Sequence, residues 1–282
     1  MEVQPATERP EILIFLHGRL GQGAMWDSAR RELQSQFRCL FIDFPGFGKS
    51  FSSHGHGLSL LDSANLVNMI IEKLQPEGHA ILVGHDFGGA IAQLCALQYP
   101  DRISALILAN SSCLSQETDP VFVGYQGLAI RWRLYNLFRQ AEQLESQPIM
   151  KLRTAWKSGI TRIPMVHALQ ILERSWPGLN ELNIWRKALG TLPHPVLLLW
   201  GTQDDIIPTR IGFELMQRLP EAYYYENHNC GHWPSLEDPA WLTGKIREFI
   251  FRQIPLMRAT ERRRARLGSS QNRKQKLNRN GN

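Results

Sequence analysis

The chain has 282 residues, 43% of them hydrophobic and 9% aromatic, enough to bury one full core or a core with a smaller lid. No apolar run approaches the ~20 residues of a membrane span, and Met1 to Glu11 lack the apolar stretch of a secretory signal, so a cytoplasmic location is expected. The net charge of +6 belongs to one end: Arg258 to Asn282 carry nine Lys or Arg against Glu261, a net +8, which leaves −2 for everything before. Four scattered cysteines, Cys39, Cys95, Cys113 and Cys230, form no Cys-x-x-Cys pair, which argues against a zinc site or a disulfide framework.

In chain order, Ile12 to Leu16 is a short apolar strand that runs into His17-Gly18-Arg19. So few residues precede it that a reduced N-terminal sheet edge is expected. Ala24 to Phe37 carries Trp26, Ala29 and Leu33 at helical spacing and reads as an amphipathic helix packed on the core. Cys39 to Phe44 is the next strand, and Asp43-Phe44-Pro45-Gly46-Phe47-Gly48-Lys49-Ser50 closes it. The last three residues look like the end of a phosphate-binding Walker A loop, but Asp43 stands where that motif needs its first glycine, so the nucleotide reading fails. Asp43 reads as a loop stabiliser, and His54 and His56, in a Gly-Ser-rich stretch, as solvated. Leu58 to Leu74 is helical, with Leu61, Asn65 and Met69 on one face.

Residues Ala80 to Ala92, A-I-L-V-G-H-D-F-G-G-A-I-A, are a strand, a sharp turn and the start of a helix over Phe87 to Gln98. Gly84 and Gly88 flank Asp86, leaving room for a residue pushed out at the tip of a strained bend. Ser104 to Asn110 is a buried, parallel-type strand. From Ser115 to Leu189 strand-like runs stop, and helical segments rich in Arg, Trp and Leu replace them. Strands resume at Val196 to Trp200, followed by Gly201-Thr202-Gln203-Asp204-Asp205-Ile206-Ile207-Pro208, and at Ala222 to Glu226, followed by Gly231-His232-Trp233-Pro234. Ala240 to Gln253 reads as an amphipathic helix that completes the core. The alternation argues for a mostly parallel, doubly wound α/β sheet with its site at the carboxyl ends of the strands.

Three motifs carry a resemblance that spans about Ile12 to Ile254. G-H-D-F-G resembles the nucleophile elbow of the α/β-hydrolase superfamily, with aspartate where serine is commoner; G-x-x-D-x-x-x-P resembles its acid loop; and G-H-W-P-x-x-E-x-P resembles its histidine loop. The resemblance implies a hydrolase core over residues 1–114 and 190–255, an inserted helical cap over 115–189, and beyond it the basic tail, 256–282. It implies Asp86 as nucleophile, Asp204 as acid and His232 as base, with the backbone N–H groups of Phe87 and Arg19 as the oxyanion hole. His17, Trp132, Tyr125, Tyr135 and Trp233 are then candidates for the substrate pocket.

A carboxylate is already ionised at neutral pH, and its attack on an ester carbonyl would give a high-energy anhydride, whereas attack on a saturated carbon gives an ordinary alkyl ester. The resemblance is therefore to the Asp-nucleophile branch, epoxide hydrolase-like or haloalkane dehalogenase-like, acting on a small organic molecule without metal or cofactor. Phe87 stands where dehalogenases carry a halide-gripping tryptophan, and Leu20 where epoxide hydrolases carry a proline; the two cap tyrosines, Tyr125 and Tyr135, tilt the reading toward epoxide opening. The alternatives are an esterase or C–C hydrolase or lyase on the same fold, with Asp86 as a base or as an altered serine, and a non-catalytic ligand-binding protein. The tail reads as disordered and solvated, with contact to nucleic acid or an anionic surface as its one candidate role.

Overall fold

The computed structural model describes residues 2–3, 12–18, 21–50, 58–75, 79–111 and 179–257. Apolar runs that alternate with amphipathic segments become strands and covering helices. The strands are β1 (Glu2–Val3), β2 (Ile12–Leu16), β3 (Arg38–Ile42), β4 (Ala80–Asp86), β5 (Ile103–Ser111), β6 (Val196–Gly201) and β7 (Ala222–Asn227), in the spatial order β1-β3-β2-β4-β5-β6-β7. All neighbours pair in parallel except β1, a two-residue strand antiparallel to β3, which is the reduced N-terminal edge. Every residue of β2, β4, β5 and β6 is buried, as strands covered on both faces must be.

Side chains leave a strand on alternate faces. Ile12, Ile14 and Leu16 of β2 therefore join one core cluster with Leu82, Leu106, Leu198 and Trp200. That cluster also takes in the helices α2 (Leu60–Leu74), α3 (Phe87–Gln98) and α5 (Thr209–Arg218). On the other face Phe15 stacks on Phe41 at 4.6 Å and meets Trp26 at 5.3 Å between ring centroids.

One local expectation is corrected. The helix expected over Ala24 to Phe37 is a 3₁₀ turn, Gly23–Trp26, followed by the short α1 (Asp27–Leu33). The Asp43 carboxylate accepts the Gly23 N–H at 2.6 Å and fixes a tight turn at that start; Trp26, Ala29 and Leu33 are nonetheless fully buried. In α2, Ser59 caps the N-terminus by accepting the Asp62 N–H at 3.0 Å, and the buried stripe is Leu60, Ala64, Val67 and Ile71. Leu61 and Met69, 39% and 63% exposed, face outward, one position off the core stripe.

Of the expected cap, residues 115–178 lie outside the described residues, and with them Tyr125, Trp132 and Tyr135; its last helix is α4 (Leu179–Ala188). The chain divides into two compact units between Thr243 and Gly244. The helix expected over Ala240 to Gln253 is α7 (Pro239–Glu248), followed by a wider π turn at Phe249–Gln253. Of the tail, residues 258–282 also lie outside the described residues. Among the described residues no helix is long and apolar enough to cross a membrane.

Candidate active site

The bend after β4 is built by exclusion. A Cβ on Gly84 would lie 2.6 Å from the Gly88 carbonyl oxygen, and one on Gly88 would collide with the Leu16 carbonyl, so only glycine lets strand, turn and helix approach this closely. Between them Asp86 is forced to φ 49°, ψ −117°, a conformation that costs an L-residue about 1–3 kcal/mol. Its side chain does not fold back to cap α3. The β4–β5 register slips between His85 and Asp86, where the strand gives way to the turn. Phe87 opens α3 directly behind the carboxylate, so the positive end of that helix dipole lies at Asp86.

The His17-Gly18 loop closes on this bend. A Cβ on Gly18 would sit 2.7 Å from both Asp86 Cβ and His85 Nδ1 and 3.1 Å from Asp86 Oδ2. Both ring nitrogens of His17 are engaged: the Phe44 N–H donates to its Nε2 at 3.1 Å and its Nδ1–H donates to the Gly18 carbonyl at 2.8 Å. With Nε2 accepting, the proton is on Nδ1 and the ring is neutral, consistent with burial pushing its pKa down. Arg19, the other expected oxyanion residue, lies outside the described residues. Asp43 is a loop stabiliser as expected, its second oxygen accepting the Lys49 N–H at 2.9 Å.

Asp204, on the loop after β6, is 4% exposed and fully engaged. Its Oδ1 accepts the N–H groups of Ile206 at 2.7 Å and Ile207 at 2.8 Å, while Oδ2 accepts from His232 Nδ1 at 2.9 Å and from Asn110 Nδ2 at 2.6 Å. Asp205 beside it is exposed. Donation from Nδ1 leaves Nε2 of His232 as the proton-accepting nitrogen of the neutral ring. His232 is buried, and Trp233 packs edge-on against it at 5.0 Å between centroids.

Two residues that the motifs contained without a role hold the histidine loop in place. Glu237, at the end of α6 (Pro234–Glu237), accepts the N–H groups of Gly231 at 2.6 Å and Trp233 at 2.9 Å, one on each side of His232. His85 donates its Nε2–H to the His232 carbonyl at 2.6 Å and lies against the His232 ring at 4.7 Å. The residue beside Asp86 thus grips the loop that carries the imidazole. Burial pushes the His85 pKa down to about 4, His232 adding to the effect, so this ring is neutral near pH 7. Cys230, two residues before His232, has its thiol pushed up to about 12 by burial and by Glu237 and Asp238, which rules it out as a thiolate nucleophile. Among the described residues no group of three His, Cys, Asp or Glu is arranged to hold a metal ion.

An elbow with a buried carboxylate, an acid–histidine pair and helices over a parallel sheet matches a known family profile, described as alpha/beta hydrolase fold, over residues 11–239. The chain belongs to the α/β-hydrolase fold family. Among its relatives, the pimeloyl-[acyl-carrier protein] methyl ester esterase of Vibrio campbellii is 27% identical over 254 residues, covering 84% of this chain and 93% of that protein. The 2-hydroxy-6-oxononadienedioate/2-hydroxy-6-oxononatrienedioate hydrolase of Burkholderia vietnamiensis is 25% identical, covering 86% and 88%. Among solved structures, a thermophilic esterase from Thermogutta terrifontis superimposes with a TM-score of 0.68 at 25% identity, covering 90% of this chain and 92% of that one. These relatives of the α/β-hydrolase chain are esterases and a hydroxy-oxo-dienedioate hydrolase; none of the three bears the name of an epoxide hydrolase or a dehalogenase.

Proposed function

We propose that this chain is a hydrolase of small organic molecules in which a water primed by His232 attacks a carbonyl carbon, cleaving an ester or an activated carbon–carbon bond. The observation that carries the reading is the 2.9 Å hydrogen bond from His232 Nδ1 to Asp204 Oδ2, on a loop fastened to the residue beside Asp86. The bond class is supported by the relatives, whose names give an ester and a hydroxy-oxo-dienedioate as substrates. In this scheme Nε2 of His232 takes a proton from water, the oxygen adds to the carbonyl, and the imidazolium, stabilised by Asp204, returns the proton to the departing group. General-base help of this kind contributes on the order of 100 to 10,000-fold. The Phe87 and Arg19 N–H groups hold the oxyanion, each donor being worth about 3 kcal/mol. Asp86 accepts a hydrogen bond from the water and so aims it, because direct attack by its carboxylate on a carbonyl would leave an anhydride. The core over 1–114 and 190–255 holds this machinery, and the cap over 115–189 supplies the pocket.

A second reading rests on the identity of residue 86. A carboxylate at an elbow tip is suited to displacing a leaving group from saturated carbon, giving an alkyl ester on Asp86 that His232-primed water then hydrolyses. Epoxides, and after them alkyl halides, are its substrates.

The test is a panel of p-nitrophenyl esters, vinylogous 1,5-diketones, epoxides and alkyl halides, run on the wild type and on His232→Ala, with intact mass read after each incubation. The carbonyl reading expects ester or diketone turnover that falls at least 100-fold in His232→Ala, with no gain in protein mass. A His232→Ala adduct equal to a whole epoxide, or to an alkyl halide less HX, overturns it in favour of the second reading. Turnover that His232→Ala leaves unchanged overturns both.

A further inference from the structure

Asn110, the last residue but one of β5, is fully buried and has φ 40°. Positive φ is uncommon for any residue with a side chain, and Asn is among those that tolerate it best. Here the conformation carries the amide across to the loop after β6, where it makes two bonds at once: Nδ2 donates to Asp204 Oδ2 at 2.6 Å, and Oδ1 accepts the Gly201 N–H at 3.0 Å. The Asp204 oxygen it reaches is the one that accepts His232 Nδ1, and the other oxygen is taken by two backbone N–H groups. Among the described residues four donors reach this carboxylate, and Asn110 is the one side chain besides the base itself.

We infer that Asn110 is a positioning residue for the hydrolysis: by bridging the Gly201 backbone and Asp204 Oδ2 it fixes the rotation of the carboxylate toward His232 and shares the oxygen on which the imidazolium depends. The inference rests on the reading that Asp204 and His232 prime the water. Its sign follows from the shared acceptor. With the Asn110 amide removed, Oδ2 carries its charge to His232 alone and holds the imidazolium more strongly; a carboxylate at this position adds a second negative charge at hydrogen-bond distance from the first. Among the described residues, the other ionisable groups tied to the His232 loop are His85 from the elbow, with Asp86 next to it in the chain, and Glu237 from α6. None of them is replaced in the variants at residue 110, so differences report on that residue.

The experiment is an NMR titration of the His232 ring in the full chain, comparing wild type, Asn110→Gly and Asn110→Asp, two replacements that both accept positive φ. The midpoint is expected to rise by roughly 0.5 units with glycine and by roughly one unit with aspartate. With the best ester or diketone of the panel, kcat should fall about tenfold with KM within threefold, because the water-priming step is affected and substrate binding is not. The acidic limb of the kcat/KM profile should move with the NMR midpoint. A His232 midpoint that moves by less than about 0.1 unit in both variants, with melting temperatures and kcat near wild type, overturns the inference. The titration needs no turnover, so a failure of the water-priming reading, seen as activity that survives His232→Ala, is distinguishable from a failure of the Asn110 assignment.

Discussion

Two buried aspartates, one at the end of β4 and one on the loop after β6, are held in opposite ways. Asp204 is positioned through its side chain, with four donors on two oxygens and an ordinary loop beneath it. Asp86 is positioned through its main chain, at φ 49° between two glycines that admit no side chain, with its carboxylate not used to cap the helix that follows. The proposed function gives the two positions two roles for one residue type: Asp204 as the fixed charge that orients His232, and Asp86 as the group that meets water or substrate.

The contrast is broken most severely at the elbow. Gly88→Ala should fail to yield folded protein, because the new Cβ meets the Leu16 backbone with nowhere for either to go; soluble yield and circular dichroism check this. Asp204→Ala removes the acceptor of four donors, two of them in the backbone of its own loop. It should cost about 3–5 kcal/mol, seen as a fall in melting temperature of about 10 °C, together with at least a 100-fold loss of kcat. Asp86→Asn should leave melting within a few degrees of wild type, since the amide keeps the shape and the elbow is set by glycines and backbone. Its kcat should fall about 100-fold or more because water is no longer held by a charge. A large destabilisation in Asp86→Asn would place the two aspartates in the same structural category. Glu237→Gln, which weakens the grip on Gly231 and Trp233, should cost roughly three- to tenfold in kcat, with KM little changed.

The smallest effect is one of pH. The folded-state pKa of His85 is near 4, below the ordinary value of 6.5, so folding favours its neutral form. The corresponding stability is fully present above about pH 6.5 and is lost as pH falls from there through pH 4. Melting temperature should therefore decline over that window, and His85→Gln, which keeps a donor for the His232 carbonyl, should flatten the decline. An equally steep decline in His85→Gln would assign the effect to other groups, His17 among them.

The strands, the parallel sheet and the loops after β4, β6 and β7 were legible because each announces itself locally, as an apolar run ended by glycine and a charged residue. His85, Asn110 and Glu237 were present in the quoted motifs or at a strand end, yet their roles were not legible. Asn110 bonds Asp204 across 94 positions and His85 bonds His232 across 147, contacts that exist only once β4, β5 and β6 lie side by side. The start of α1 was misread for a related reason: the turn that precedes it is invisible in periodicity and is set by the Asp43–Gly23 bond. His17 read as a pocket group because its loop reaches the site; both of its ring nitrogens brace that loop. At the level of substrate the residues and the relatives pull apart, since Asp86 speaks for saturated carbon and the family neighbours for carbonyl carbon.

That tension is resolved by one experiment: a single turnover in H₂¹⁸O with enzyme in excess over the best substrate of the panel, followed by mass analysis of both product and the peptide bearing Asp86. If His232-primed water attacks the substrate directly, the first-turnover product carries ¹⁸O and Asp86 stays unlabelled. If the product is unlabelled and ¹⁸O appears in the Asp86 carboxylate, water attacked an enzyme-bound ester, and Asp86 is the nucleophile instead of the residue that aims the water.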